Sequence, residues 1–198
     1  MPRAQSLLLA LSLAFVLTPA GHCAESEIDT PGAQAGAYYR ALHARDVRAI
    51  APILHADSLR YHRRYVEIGL LKLEERFGAA AVEAILGKSR ADLSALGDED
   101  FFCVTVRCAW EIAGASPAPR ETLPALIGAM PDGKRVHTLA RVGQSFEGEG
   151  QRVEFDRVDT LCFAPEGETW KLVSFPLAVV VIRACTDELL KAAKSAAP

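Results

Sequence analysis

The chain has 198 residues, half of them apolar, and a formal net charge of −3 from 22 basic and 25 acidic side chains. That balance provides no broad basic face for nucleic acid. The length suits one domain with a sizeable core.

Met1–Ala20 reads as a secretory signal. Arg3 is its one charge, the apolar run Leu7–Leu17 follows, and Thr18-Pro19-Ala20 offers the small residues of a peptidase site. The run is too short for a membrane span, which needs about 20 apolar residues, and no later segment is long and apolar enough. Cleavage after Ala20 is expected; cleavage after Ala24 and lipid attachment at Cys23 are the alternatives. Loss of Arg3 leaves 21 basic against 25 acidic residues, a net of −4 for the mature chain. The expected location is the periplasm or the exterior, with no integral span in the mature form. Residues 21–34 read as a flexible segment and 35–198 as a single domain.

With Cys23 discounted or lost, four cysteines remain: Cys103, Cys108, Cys162 and Cys185. An even number in an exported chain favours disulfides. Cys103 and Cys108 are five apart and diverge on a helix or a strand, so each is expected to pair with Cys162 or Cys185. No CxxC pair is present, and neither a metal nor a cofactor is expected.

The first half reads as helical. Tyr38, Ala41 and Leu42 have helical spacing within Ala35–Ala44, and Asp46 can cap a second helix over Val47–Leu54 in which Pro52 disturbs the first turn. Asp57 or Ser58 can cap a third helix, Leu59–Phe77, with the stripe Leu59, Val66, Leu70, Leu73 and Phe77. Gly78 breaks it before Ala79–Leu86. Asp98–Ala113 carries two signals, acids suited to a helix start and strand-forming residues after them; a buried helix is favoured. Gly114–Pro124 holds three prolines and reads as a loop.

After it the period becomes two. Turn signals at Pro131-Asp132-Gly133, Gly148-Glu149-Gly150 and Pro165-Glu166-Gly167 bound strands Lys134–Val142, Gln151–Phe163 and Thr169–Phe175, an antiparallel meander. Leu177–Arg183 either extends the sheet or begins the helix that includes Thr186–Lys194. The expected class is α+β: N-terminal helices packed on a curved, cone-like antiparallel sheet, with a C-terminal helix.

Tyr38-Tyr39-Arg40-Ala41-Leu42, Arg45-Asp46 and Val47–Leu54, followed much later by Val158-Asp159-Thr160-Leu161, Gly167 and Trp170-Lys171-Leu172-Val173, resemble the nuclear transport factor 2-like superfamily. The likeness spans most of the mature chain. Two features depart from the family pattern: a long span before the first clear strand, and residues beyond the usual last strand. The resemblance implies a conical pocket between sheet and helices, which members use as isomerase-like enzymes, cyclases and dehydratases, as ligand binders or as interaction modules.

Alternation in Arg152–Phe163 sets Arg152, Glu154, Asp156 and Val158 on one face and Val153, Phe155, Arg157, Asp159, Leu161 and Phe163 on the other. Asp159, the one acid on the more apolar face, is a candidate general base or an ion-pair partner of Arg157; Tyr38 is a candidate proton donor or a packing tyrosine. Tyr39, Phe155, Arg157, Leu161 and His137 are candidate ligand contacts. Tyr61-His62-Arg63-Arg64-Tyr65 is the one compact basic-aromatic cluster, read as the wet face of a helix or an anion contact. No GxSxG, P-loop or GxGxxG stretch is present. The sequence therefore favours a non-catalytic binder of a small apolar ligand or of a protein. A cavity isomerase or dehydratase using Asp159, and an interaction module using the sheet face or the basic helix, are the alternatives. A homodimer fits either kind of binder.

Overall fold

Thr30 caps helix α1 (Pro31–His43): its Oγ1 accepts the Ala33 N–H at 3.1 Å, and Pro31 occupies the first helical position, where no N–H is needed. Helix α1 therefore starts four residues before the expected Ala35, and the last part of the segment expected to be flexible is helical. The structure, a computed structural model, describes residues 30–114, 120–121, 124–148, 151–173 and 176–195. The expected signal and the expected peptidase sites lie outside them.

Asp46 caps α2 (Val47–Ile50) by accepting from the Ala49 N–H at 3.0 Å, and Pro52 lies within a short 3-10 turn, Ala51–Ile53. The cap of α3 (Ala56–Phe77) is His55, not Asp57 or Ser58: its Nδ1 accepts the Asp57 N–H at 3.1 Å. Ser58 turns inward and donates to the Leu172 carbonyl at 3.3 Å. The expected stripe of α3 is buried from Leu59 to Leu73, and Phe77 is half-buried. Helix α4 (Ala79–Leu86) ends on left-handed Gly87. Helix α5 (Arg90–Ser94) was not expected; a capping box between Ser89 and Asp92 starts it. Asp98–Ala113 is helix α6. Acids in its first turn favour that state, and burial of Phe101, Phe102, Thr105 and Val106 among other helices outweighs their strand propensity.

Strands β1 (Arg120–Glu121), β2 (Ala125–Asp132), β3 (Arg135–Gly148), β4 (Gln151–Glu166) and β5 (Thr169–Leu172) form one antiparallel sheet. β1 and β2 follow one another along one edge of β3, β4 lies along the other, and β5 pairs with the end of β4. Neither β1 nor β2 was expected. β1 lies within the stretch read as loop, and β2 is exposed at every position, so it carries no alternation to read. Left-handed Gly133 and Gly167 make two of the expected turns. Leu177–Arg183 begins helix α7 (Pro176–Ser195) instead of extending the sheet.

The α+β class holds, with helices preceding an antiparallel sheet and a helix after it. α3, α4, α6 and α7 pack on one another, while α1 lies on the sheet against β2, β3 and β5. Among the described residues no helix is long and apolar enough to cross a membrane. Trp170 is half-buried on β5 and sits at the margin of the core.

Helices α3 and α7 approach each other at Gly69. A Cβ built there meets Ile182 Cδ1 at 2.4 Å and Cγ1 at 2.6 Å. Ile is stiff at χ1 in a helix, so it yields little room. Gly69→Ala is expected to destabilise by about 1–2 kcal/mol in chemical denaturation, overpacking exceeding the helix-propensity gain of about 1 kcal/mol. Adding Ile182→Ala should remove the clash; a Gly69→Ala protein more stable than wild type would show that the helices have slack.

Candidate functional site

Strand β4 runs from a closed core to open solvent along one face. Phe163 is 0% exposed and Leu161 is buried, Asp159 is half-buried, and Arg157, Phe155 and finally Val153 at 57% are exposed. The alternation read from the sequence thus places its residues correctly, and the charged pair falls where cover gives way to water.

Arg157 grips Asp159 with two bonds, Nε to Oδ1 at 2.6 Å and Nη2 to Oδ2 at 2.9 Å. From α1, the Tyr39 hydroxyl donates to Asp159 Oδ2 at 3.4 Å. Tyr38 meets the Tyr39 ring edge-on, with centroids 5.6 Å apart. Burial, reinforced by the Asp159 charge, pushes the Tyr38 phenol up to about 12 and raises Tyr39 further, so both stay neutral at ordinary pH.

These groups border a cleft of about 360 Å³ between α1, β4 and the start of α7. Its walls are Tyr38, Tyr39 and Leu42 on one side and Leu161 and Leu177 on the other, with Thr160, Arg157 and Asp159 along the strand. Of the residues singled out in the sequence, Tyr38, Tyr39, Arg157, Asp159 and Leu161 come together here. Leu42, Thr160 and Leu177 were missed; Leu177 carries no local signal, because only the start of α7 brings it there. A larger and more open hollow of about 450 Å³ lies toward the hairpin end, lined by Arg152, Glu154, Phe155 and Asp156 of β4 and by Gly143, Gln144 and Ser145 of β3.

Two expected ligand contacts lie elsewhere. His137 is on the opposite face of β3, across from Cys162 and 3.4 Å from Asp132. Phe155 shares the face of Asp159 but sits four residues farther out, beyond the cleft.

The four cysteines are free thiols, against the expected pairing. Strand parity turns Cys162 to the face of β4 away from buried Leu161 and Phe163, and so away from α6. Cys103 Sγ lies 3.8 Å from the Val47 carbonyl, and Cys108 Sγ donates to the Ile85 carbonyl at 3.3 Å. Cys185 is buried on α7 near Cys108, and burial pushes its thiol up to about 12, which keeps it protonated and inert. Among the described residues no group of three or more His, Cys, Asp or Glu could hold a metal ion.

The basic-aromatic cluster divides. Tyr61 and Tyr65 stack on the exposed side, with centroids 6.2 Å apart. Arg63 turns inward, binds Asp98 at 2.7 Å and the Leu96 carbonyl, and covers the Phe101 ring. His62 is buried against Phe101 and Phe102, and its Nε2 lies 3.0 Å from Thr105 Oγ1. The Thr105 hydroxyl donates to the Phe101 carbonyl at 2.9 Å, so it accepts from His62, which fixes the neutral Nε2–H tautomer.

Comparison with protein-family models, with curated proteins and with solved structures finds no match to this chain.

Burial lowers His62 from 6.5 to about 4. Above pH 6.5 both folded and unfolded states hold it neutral, and the fold is undisturbed. Below that the unfolded chain takes the proton first, so stability falls by about 1.4 kcal/mol per pH unit, reaching about 3 kcal/mol near pH 4. Denaturation of His62→Gln, which keeps a donor toward Thr105 but cannot titrate, should lack this component; equal pH slopes for variant and wild type would mean the histidine charges inside the fold. Alkylation in denaturant without reductant should label all four of Cys103, Cys108, Cys162 and Cys185. Any thiol protected there would reveal a disulfide.

Proposed function

We propose that the protein is an exported, non-catalytic carrier or sensor that holds a small apolar ligand in the cleft between α1, β4 and α7. The observation that carries this reading is the state of Asp159. Its two carboxylate oxygens are taken by the Arg157 fork and Tyr39, in a cleft otherwise walled by leucine and tyrosine. A general base needs a lone pair aimed at substrate; here the carboxylate serves as an anchor. The volume of about 360 Å³ falls within the range of small-molecule sites. An apolar body fits against Leu42, Leu161 and Leu177, with one polar group toward Arg157 and Thr160.

The N-terminal pattern supports export, and the likeness to the nuclear transport factor 2-like superfamily supports a pocket between helices and sheet. One observation favours the cavity-isomerase or dehydratase reading. Tyr39 and Asp159 touch, as a donor and a base would. That reading requires Arg157 to release Asp159 when substrate enters.

The test is titration with an uncharged naphthalene-type fluorescent probe, together with native mass spectrometry of protein purified from cells. Wild type should bind the probe and carry a co-purifying small molecule. Leu177→Trp, which fills the cleft from a half-buried position, should weaken the probe by about tenfold or more, the equivalent of about 1.4 kcal/mol, with little change in melting temperature. Equal binding by both proteins would place the ligand elsewhere or nowhere. Substrate turnover lost in Asp159→Asn would favour the enzyme.

A further inference from the structure

We propose that two copies of the chain pair along the bare edge of β4, antiparallel about a two-fold axis through Val158. β4 pairs with β3 from Gln151 to Phe163, but β5 covers only its residues from Phe163 to Glu166. The Val173 N–H donates to the Cys162 carbonyl at 2.7 Å, away from β3. The unbroken β3 register makes every second residue do the same, so Asp156, Val158 and Thr160 direct N–H and C=O toward an edge where, among the described residues, no strand lies.

Among the described residues the other edges are largely taken up. β2 covers β3 from Arg135 to Arg141 and β1 covers it at Gln144 and Ser145, while Leu54 and His55 meet β5 at Leu172. β2 has an outer edge of its own, but a bulge between Leu126 and Gly128 and a proline at 131 break it. From residue 151 to 161 β4 has no proline, glycine, lysine or bulge.

What its inner face does have is Arg157 and Asp159, charges that reject a generic strand. They match a second copy in one register. With Val158 opposite the partner's Val158, Arg157 faces the partner's Asp159, Asp159 faces the partner's Arg157, and Phe155 faces the partner's Leu161. The two Arg157–Asp159 pairs then close a ring of alternating charge. Axes through Asp156, Arg157 or Asp159 set a charge against its own copy, and an axis through Phe155 sets Glu154 against the partner's Asp156. Pairing in the Val158 register also covers Val158 and Phe155, which are 57% and 44% exposed in the single chain. Because Asp159 and Thr160 line the cleft, the partner's Phe155 arrives beside Leu161 at its mouth. The inference does not rest on a ligand, and it is measured without one.

Sedimentation velocity of the purified protein over a concentration series should show a reversible monomer–dimer equilibrium. Val158→Pro removes an edge N–H that the β3 ladder does not use, and should weaken the dimer about tenfold or more. Arg157→Asp and Asp159→Arg each set like charges across the axis and should each be monomeric. Mixed in equal amounts, those two variants become complementary at both positions and should associate again. The mixing result decides the register even if Val158→Pro fails to fold. A wild type that stays monomeric overturns the proposal. So does a dimer that ignores all three substitutions, as association through the apolar run Leu7–Leu17 would.

Discussion

Strand β4 outruns its cover. Thirteen residue pairs join it to β3, but only four join it to β5. Helices lie over one part of its inner face and leave the rest to water. The cleft forms at that boundary, and so does the Arg157–Asp159 pair. A half-buried carboxylate without a partner is expensive to hold, and a fork donor two residues along the same face removes the penalty. The pair adds little net stability, of the order of 0–1 kcal/mol for an exposed ion pair. Its consequence is positional: it holds Asp159 where Tyr39 of α1 can reach it, and it makes the strand edge selective.

The helical half meets the sheet through a small number of specific ties, and β5 carries most of them. Ser58 donates to the Leu172 carbonyl at 3.3 Å, the His55 N–H to the same oxygen at 3.0 Å, and the Lys171 ammonium to the Pro52 carbonyl at 2.5 Å. The Ala56 N–H finds Glu166 at 3.2 Å, at the end of β4. A four-residue strand thus joins the start of α3 to the sheet, which is why Leu172 is fully buried on so short an element. On the far side, Gly69 lets α7 close against α3, and His62 stays neutral because Phe101, Phe102 and Thr105 leave no room for water.

Where local chemistry and tertiary packing agree, the sequence could be read. The stripe of α3, the turns at Gly133 and Gly167, and the inner and outer faces of β4 all follow from spacing alone. Misreadings came where the deciding partner is distant. β2 shows no alternation because neither of its faces is buried, and Ser58 looks like a cap until Leu172 claims its hydroxyl. His62 and Arg63 sit in a run of polar residues, yet both turn toward α6, His62 to Thr105 and Arg63 to Asp98. Cys162 is displaced from its expected partners by one step of strand parity, a detail no count of cysteines contains. In the cleft, Tyr39, Arg157, Asp159 and Leu161 were legible as one face and one helix. Leu177 was not, because it depends on how the chain turns after β5.

The chemistry of the cleft also bears on what can enter it. Arg157 and Asp159 neutralise each other, and both tyrosines stay uncharged over the physiological range because burial and the nearby carboxylate disfavour phenolate. A cationic guest would have to compete with Arg157 for Asp159, and an anionic guest with Asp159 for Arg157; either contest surrenders a two-bond contact already made. A neutral guest with one hydroxyl or carbonyl faces no such contest. It can meet Thr160 while its apolar remainder displaces water from the leucines and the tyrosine rings, where most of the binding energy of such a site arises. The same balance of charge that argues against proton transfer therefore argues for an uncharged, largely apolar occupant.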